Sequence, residues 1–230
     1  MLNKILPSIA TTKGSDWEEK IKEINKLGLK EIALLPTFLG KKERRKLYRL
    51  LEESSVASIP LVHIRNDIDA NELDYLIERY KTQVFNTHMQ IEFPFNKEWS
   101  KYSKKIMIEN VFHPFDEDEL KRRGGICLDI SHLENDRLLH KEIFEHNIKI
   151  LEKYPIVCNH ISAVNEEITH IDEKGGLRYD RHQLWDISEL DYLKNYPKNY
   201  FSSIIAIELE NNIEDQLRAK DYILNLLSNK

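Results

Sequence analysis

The sequence predicts an α/β fold of the (β/α)8 or TIM barrel type, formed by a single domain over residues 1–230. Two observations support this prediction: short apolar, β-branched runs alternate with amphipathic stretches along the whole chain, and most of these runs are almost continuously hydrophobic. Continuous hydrophobicity is typical of parallel strands that are covered on both faces. A length of 230 residues suits one barrel and is short for two ordinary domains.

Eight apolar runs are predicted to be strands. They are Lys4–Ala10, Glu31–Pro36, Ile59–Ile64, Gln83–Thr87, Lys105–Asn110, Gly125–Ile130, Ile156–Ile161 and Ser203–Leu209. Eight alternations of strand and helix fit either a closed barrel or an open doubly wound sheet. A dinucleotide-binding sheet would carry a Gly-rich loop after its first strand, and the sequence has none there. We therefore predict the closed barrel.

The stretches between the strands carry signals for the start and the end of helices. Ser15 to Glu18 is interpreted as a capping box that opens a helix ending at Gly28. Further helices are predicted to begin at Asp69, at Asp116 and near Asn212. One more helix is predicted from an apolar stripe at helical spacing, formed by Leu138, Leu139, Ile143, Phe144, Ile148 and Leu151.

Composition excludes several classes of protein. No apolar run approaches the roughly 18–20 residues that span a bilayer, and the N-terminus lacks the pattern of a signal peptide. With only Cys127 and Cys158, a disulfide framework is not expected, so we expect a cytoplasmic protein without a membrane contact. A net charge of −5 gives no electrostatic footprint for non-specific nucleic-acid binding, although cations bound in a cleft would change the local sign. No protein partner is evident.

Six consecutive predicted strands end in a potential metal ligand. These residues are His63, His88, Glu109, Asp129, His160 and Glu208, and His132 follows Asp129 closely. Taken singly, each has a structural explanation, such as a hydrogen-bonded core histidine or a helix-capping aspartate. In a barrel, however, the strand ends meet at one mouth, and burying several unpaired carboxylates there is expensive. Divalent cations are the simplest counter-charge, and histidine with carboxylate ligands suits Zn²⁺, Mn²⁺ or Fe²⁺.

A second group of candidate ligands follows the seventh predicted strand. Asp180 and His182 are two residues apart, so both side chains would face the same way in an extended segment. This spacing suits joint chelation, although by itself it is more typical of a solvated loop.

Three motifs at these positions resemble those of a known enzyme family. Gly125-Ile-Cys-Leu-Asp129-Ile-Ser-His132 is similar to a Gly-x-Cys-x-Asp-Thr-Cys-His stretch, Asp180-Arg181-His182 to an Asp-Arg-His motif, and Glu109-Asn110 to a Glu-Asn pair. The chain thus resembles the endonuclease IV type of apurinic/apyrimidinic endonuclease, within the xylose isomerase-like barrel superfamily. The resemblance covers the third to the eighth predicted strand and is specific in the order of the ligands.

The resemblance implies up to three zinc ions held by nine side chains. One ion would take His63, His88 and Glu109; a second, bridged by Glu109, would take Asp129, His160 and Glu208; a third would take His132, Asp180 and His182. It also implies phosphoester hydrolysis, with DNA carrying abasic sites as the substrate and Glu109 and Glu208 as catalytic residues. Arg65, Arg178 and Arg181 are candidates for contacts with the substrate phosphate.

The departures from the family's pattern concern the substrate more than the metal. Ser131 replaces the family's second cysteine, and Ile64-Arg-Asn66 replaces the segment that carries its DNA-inserting tyrosine. The Gly-containing stretches after Glu-Asn and after Asp-Arg-His are also absent. The ligand set is complete, whereas the DNA substrate is put in doubt.

Two enzymatic hypotheses therefore stay open, besides a barrel that only stores metal. The first is a zinc-dependent phosphoester hydrolase. The second is a sugar or sugar-phosphate isomerase or epimerase, with a single manganese or magnesium ion on Glu109, Asp129, His160 and Glu208 and a proton shuttled by the two glutamates. In the second hypothesis the remaining histidines and Asp180 would contact substrate or have no catalytic role.

Overall fold

The computed structural model describes residues 3–94, 97–171 and 175–229, and eight parallel strands run through its centre. We number these strands β1 (Lys4–Leu6 and Ser8–Ala10), β2 (Ala33–Leu35), β3 (Leu61–His63), β4 (Val84–Thr87), β5 (Ile106–Glu109), β6 (Gly125–Asp129), β7 (Ile156–Ile161) and β8 (Ile204–Ile207). Each strand pairs in parallel with its neighbours in chain order. Every predicted run contains one observed strand, so the (β/α)8 prediction is confirmed.

The barrel closes through β1, which is split at Pro7. Its first segment pairs with β8, with Lys4 opposite Ile204, and its second segment pairs with β2, with Ser8 opposite Ala33. Pro7 has no N–H to donate, but its carbonyl accepts a 2.9 Å hydrogen bond from the backbone of Ala33. The barrel is therefore closed at a seam of two half-strands, of which the first pairs with β8 and the second with β2.

A buried glutamine covers this seam from the last helix of the chain. The backbone N–H of Ser8 donates to Oε1 of Gln216 over 2.7 Å, and Nε2 of Gln216 donates to the backbone oxygens of Ser8 and Leu209. Polar backbone groups that the split strand leaves without a sheet partner are satisfied in this way. The closing segments of the chain are thus tied to its first strand by side-chain hydrogen bonds as well as by the sheet.

Helices surround the barrel and connect most of its strands. They are α1 (Trp17–Leu27), α2 (Lys41–Glu52), α3 (Ala70–Tyr80), α4 (Glu117–Arg122), α5 (Ile130–Leu139), α6 (Lys141–Leu151) and α7 (Ile213–Ser228). After β4 and after β7 the chain forms 3₁₀ helices instead, at Lys97–Lys105, Ile187–Asn195 and Lys198–Tyr200. Within the described ranges, no helix is both long and apolar enough to cross a membrane.

Most predicted helix boundaries are correct, and two predictions are wrong. Asp69, Asp116 and Asn212 cap α3, α4 and α7 as expected, and Gly28 ends α1 with a φ of 64°. The cap of α1 is Asp16 rather than Ser15, because the Asp16 carboxylate accepts the N–H of Glu19 whereas Ser15 donates to the Thr12 carbonyl.

The apolar stripe from Leu138 to Leu151 does not form one helix. His140 has a φ of −130° and a ψ of 63°, so α5 ends and α6 begins at this residue. Leu138 is 43% exposed, whereas the buried face of α5 includes polar side chains such as His132 and Asn135. The apolar stripe therefore runs across two helices, α5 and α6, whose buried faces have different orientations.

Alternate side chains of each strand fill the barrel interior. A cluster of buried side chains inside the strands includes Leu61, Met107, Cys127, Cys158 and Ala206. Successive side chains on a strand point to opposite faces, so the residue two positions further along each strand also points inward. The side chains one layer above this cluster are the candidate ligands at the strand ends.

Candidate metal centre

The strand ends bring five buried ligand candidates to the mouth of the barrel. They are His63 at the end of β3, Glu109 at the end of β5, Asp129 at the end of β6, His160 in β7 and Glu208 directly after β8. Each lies two residues beyond an apolar side chain of the interior cluster, which is why the strand period predicts its inward orientation.

Four of these residues form one tight group. Ligand atoms of Glu109, Asp129, His160 and Glu208 all lie within 4.8 Å of one another. His160 Nδ1 is 2.8 Å from Oε2 of Glu208 and 3.4 Å from Oε1 of Glu109. Three carboxylates and one imidazole at such distances can hold a divalent cation.

A second group shares Glu109 and extends toward β3. His63, Glu109 and His160 also offer ligand atoms within 4.8 Å of one another, and His63 Nδ1 is 3.4 Å from Oε2 of Glu109. The ring of His88 lies edge-on to that of His63, with 4.7 Å between the centroids. Glu109 therefore turns one oxygen toward the His63 side of the mouth and the other toward His160.

The outer histidines are brought together only in part. His132 Nε2 is 3.6 Å from Oδ2 of Asp180, whereas His182 Nε2 is 3.6 Å from Oε1 of Glu208. Within the described residues, the groups of three or more mutually close ligands do not include His88, His132, Asp180 or His182. Seven of the nine predicted ligands line the cavity at the mouth, Asp129 and His160 are fully buried beside them, and the third predicted set is the least assembled.

Several buried polar atoms of the site lack a hydrogen-bond partner. In the part of the chain that the structure describes, they include His63 Nδ1, Asp129 Oδ2, both ring nitrogens of His160 and Glu208 Oε2. Native proteins rarely leave buried polar atoms unsatisfied, because each costs free energy. His160 Nδ1 and Glu208 Oε2 approach to 2.8 Å without the alignment of a hydrogen bond. Unsatisfied ligand atoms that converge on one point fit a bound cation.

The pKa values of the inner ligands respond to burial and to one another. Burial lowers the pKa of His63 to about 3, so this imidazole is neutral at pH 7 and can donate a lone pair. Burial raises the pKa of Asp129, and the charges of Glu109 and Glu208 add to the effect. Burial opposes the charging of Glu109 too, but His160 and His63 hold its pKa well below the ordinary value.

In the absence of a cation, the protonated His160 side chain compensates part of the negative charge of the neighbouring carboxylates. Burial alone would lower its pKa, but Glu109 and Glu208 raise the pKa of His160 well above the ordinary value. A metal ligand must be a neutral imidazole, so a cation that binds here takes over the charge-balancing role of the His160 proton.

Asparagines behind the ligands orient them, and the sequence analysis missed this role. Asn86 Nδ2 donates a 2.6 Å hydrogen bond to Oε2 of Glu109. Asn110 exchanges two 2.9 Å hydrogen bonds with the backbone of Asp129, and its carbonyl lies 2.8 Å from Nδ1 of His132. A carbonyl can only accept, so Nδ1 of His132 is assigned the proton and Nε2 faces Asp180. Such outer contacts commonly fix metal ligands in place.

Two of the three predicted phosphate-binding arginines, Arg178 and Arg181, border the mouth. Arg178 forms a two-pronged ion pair with Asp180, with Nε 2.9 Å from Oδ1 and Nη2 3.0 Å from Oδ2. Arg181 contacts Glu189 and lies on the ring of Trp185, 3.3 Å from its centroid. Arg65 lines an adjoining side pocket.

The mouth encloses enough space for a small substrate group. Its main cavity has a volume of about 420 Å³ and is bordered by His63, Glu109, His132, Asp180 and Glu208. Thr12 and Glu210 also border it, and the N–H of Thr12 donates to Glu210 over 3.1 Å. Sequence analysis missed both, because neither belongs to the ligand pattern, although Glu210 lies two residues beyond Glu208 in the same loop.

Comparisons with known proteins give similarity of fold at low sequence identity. No protein-family model matches the chain, and no curated protein matches its sequence. The chain is similar to a xylose isomerase-like TIM barrel protein from Mycobacterium smegmatis, solved in complex with magnesium, at 10% identity over 98% of this chain and 96% of the other, with a TM-score of 0.47.

A second similar structure is the probable 3-DHS dehydratase AsbF from Bacillus anthracis, involved in petrobactin synthesis. It shares 14% identity over 98% of this chain and 97% of the other, with a TM-score of 0.45. Neither likeness assigns a reaction to this chain, whose barrel architecture is established by its own strand order.

Proposed function

We propose that this protein is a metal-dependent phosphoester hydrolase whose mouth holds at least two divalent cations bridged by Glu109. The orientation of the Glu109 carboxylate carries the proposal. Its Oε2 lies 3.4 Å from Nδ1 of His63, and its Oε1 lies 3.4 Å from Nδ1 of His160. A carboxylate that bridges two cations presents one oxygen to each, as in two-metal phosphoester hydrolases.

The charge of the mouth supports more than one cation. Five carboxylates lie at or directly beneath it, those of Glu109, Asp129, Asp180, Glu208 and Glu210, and the guanidinium groups of Arg178 and Arg181 compensate two of them. With neutral imidazoles, three negative charges remain, so one divalent cation would leave a negative mouth that repels a phosphoester. A second divalent cation reverses the sign and makes the mouth attractive to an anion.

The residues divide naturally between the cations. Asp129, His160 and Glu208 would hold one ion together with Glu109, and His63 and the adjacent His88 would hold another. When bound, the ions supply Lewis acidity to the phosphoryl group and lower the pKa of the attacking water. The chain orients Glu109 through Asn86 and places Arg178 where a phosphate oxygen can accept its hydrogen bond. His132, Asp180 and His182 remain candidates for a third ion.

Metal content and hydrolysis test the proposal together. Protein stripped with a chelator and reloaded with Zn²⁺, Mn²⁺ or Mg²⁺ is analysed for bound metal and assayed on bis(p-nitrophenyl) phosphate and on a DNA duplex with one abasic site. We expect two or more ions per chain and metal-dependent cleavage of at least the small diester. His140→Ala serves as the control, because His140 lies outside the mouth at the junction of α5 and α6. One ion per chain without phosphoester cleavage would contradict the proposal.

A second candidate function, sugar isomerisation or epimerisation, is favoured by the chemistry of the tightest group. Glu109, Asp129, His160 and Glu208 form an oxygen-rich set, which suits one Mn²⁺ or Mg²⁺ ion. Glu109 and Glu208 would then move a proton between two carbons of a hydroxy-ketone. Incubation of sugars and sugar phosphates in deuterium oxide would reveal exchange at carbon. His63→Ala should preserve that exchange in an isomerase and abolish cleavage in the hydrolase.

A further inference from the structure

A side pocket of about 200 Å³ opens beside the metal centre. It shares the rings of His63 and His88 with the mouth and extends between the loops that follow β2, β3 and β4. A substrate group that extends from the candidate metal ligands past His63 would therefore enter this pocket. The contacts among the candidate metal ligands do not depend on this pocket.

The walls of the side pocket are aromatic. Phe38, from the loop after β2, is 51% exposed at its entrance. Phe93, from the loop after β4, lies with its ring centroid 5.1 Å from that of His88. Exposed phenyl rings beside a polar centre offer flat apolar surfaces, on which planar heterocycles stack with little dependence on their identity.

Polar groups border the same pocket. Asn66 carries an amide with both donor and acceptor atoms, the type of group that pairs with the edge of a nucleobase. The Arg65 guanidinium is held by Oδ1 of Asp67, 3.0 Å from its Nε, and by the backbone oxygen of Thr37.

The loop that carries Phe38 is pinned to the barrel. The backbone N–H of Phe38 donates to Oγ1 of Thr11 over 3.2 Å, and the Thr37 hydroxyl donates to the Thr11 carbonyl over 3.1 Å. These hydrogen bonds therefore hold the backbone at Phe38 in place beside the candidate metal centre. A preformed stacking surface costs little conformational entropy on binding.

We infer that the side pocket binds an intact nucleobase next to the phosphoester, so that the substrate is a nucleotide or oligonucleotide that keeps its base. The inference rests on the proposed function, since it places the phosphate on the cations. An abasic sugar has no aromatic base to fill the pocket, and it would leave the exposed Phe38 ring in contact with water. The side pocket thus favours base-bearing substrates over abasic ones.

Binding of three ligands tests the side pocket. Metal-loaded protein is titrated calorimetrically with deoxyadenosine, deoxyadenosine monophosphate and deoxyribose phosphate. Stacking on the pocket should make the monophosphate bind about tenfold or more tightly than the base-free sugar phosphate. Phe38→Ala should remove this advantage and Phe38→Trp should keep it. Ile91→Ala is the matched control, because Ile91 is 73% exposed and lies outside the side pocket.

The three ligands separate failure of the side pocket from failure of the proposed function. Deoxyadenosine has no phosphate, so binding that Phe38→Ala weakens supports the pocket even if no phosphoester is hydrolysed. Equal affinity for the monophosphate and the base-free sugar phosphate would overturn the inference, even if hydrolysis persists. Should Phe38→Ala unfold, Phe93→Ala gives the same comparison from the opposite wall.

Discussion

Asn86 donates a 2.6 Å hydrogen bond from its Nδ2 to the same Glu109 oxygen that faces His63. The amide lies two strand positions before His88, on β4, and it fixes one oxygen of the proposed bridging carboxylate. The two oxygens of Glu109 are therefore not interchangeable. The orientation of the centre depends on a residue that ligates nothing itself.

Replacing Asn86 should weaken metal binding without unfolding the barrel. Asn86→Leu keeps a similar volume and removes the donor to Glu109, and removal of the amide also removes its buried, unsatisfied Oδ1. We expect metal affinity to fall about 10- to 100-fold, as for other residues that orient ligands. Competition with a chromophoric chelator measures the affinity, with Asn225→Leu on the exposed face of α7 as control. Unchanged affinity would show that Glu109 needs no such support.

Replacing His182 distinguishes the two enzymatic hypotheses. His182 borders the mouth and lies 3.6 Å from Glu208, outside the four-residue group. His182→Ala should abolish phosphoester cleavage and lower the metal content by at most one ion per chain. The same change should scarcely alter an isomerase, and His140→Ala should alter neither activity. Cleavage at the wild-type rate in His182→Ala would remove this residue from the ligand set.

The buried carboxyl group of Asp136 should make stability depend on pH. Burial raises the pKa of Asp136 to about 6 in the folded state, against an ordinary value of 3.8. The folded state therefore binds this proton more tightly, so the group's destabilising effect is absent below pH 3.8 and grows as pH rises toward 6.

Asp136→Asn should thus stabilise the protein at pH 7 by up to about 3 kcal/mol and have little such effect at pH 3.5. Urea unfolding of both proteins at several pH values measures the difference. Asp221→Asn, on the exposed side of α7, should show no comparable pH dependence. A stabilisation that is equal at both pH values would contradict the assignment of the effect to proton binding.

We expect Arg44 to stabilise the loops that follow β2 and β3. It is fully buried in α2 and binds both oxygens of Glu72 at 2.9 Å, Asp67 at 3.0 Å and the Leu39 carbonyl at 2.9 Å. Arg44→Met would leave the half-buried Glu72 carboxylate without its ion-pair partner, although the Tyr48 hydroxyl would still donate to it, and this should lower the free energy of unfolding by about 3 kcal/mol. Chemical denaturation measures the loss, and Arg45→Met on the exposed face is the control. A loss below about 1 kcal/mol would indicate that Glu72 finds another partner.

Much of the fold and the inner ligand set could be predicted from the sequence, because both depend on periodicity. Parallel strands covered on both faces appear as continuous apolar runs, and a strand period of two carries the inward direction from Cys127 to Asp129 and from Cys158 to His160. Parallel closure then brings ligands that are distant in sequence to one mouth.

Features that depend on three-dimensional detail were not predictable. The sequence could not show that His182 turns toward Glu208, because a side-chain rotamer in a long loop has no periodic signature. Asn86 and Asn110 were missed because an asparagine behind a ligand has no pattern of its own. The helix break at His140 was hidden because apolar residues on both sides, Leu138 and Leu139 before it and Ile143 and Phe144 after it, continued the apolar stripe.

The split of β1 at Pro7 has a consequence for the order in which the molecule is completed. The half-strand Lys4–Leu6 pairs with β8, and the half-strand Ser8–Ala10 donates a hydrogen bond to Gln216 from α7 and accepts one from it. During synthesis, β1 cannot pair with β8 or bind Gln216 until β8 and α7 have left the ribosome. Glu208 arrives with them, so the inner group of candidate ligands is complete only in the closed barrel, and an ion that bound there would stabilise that form.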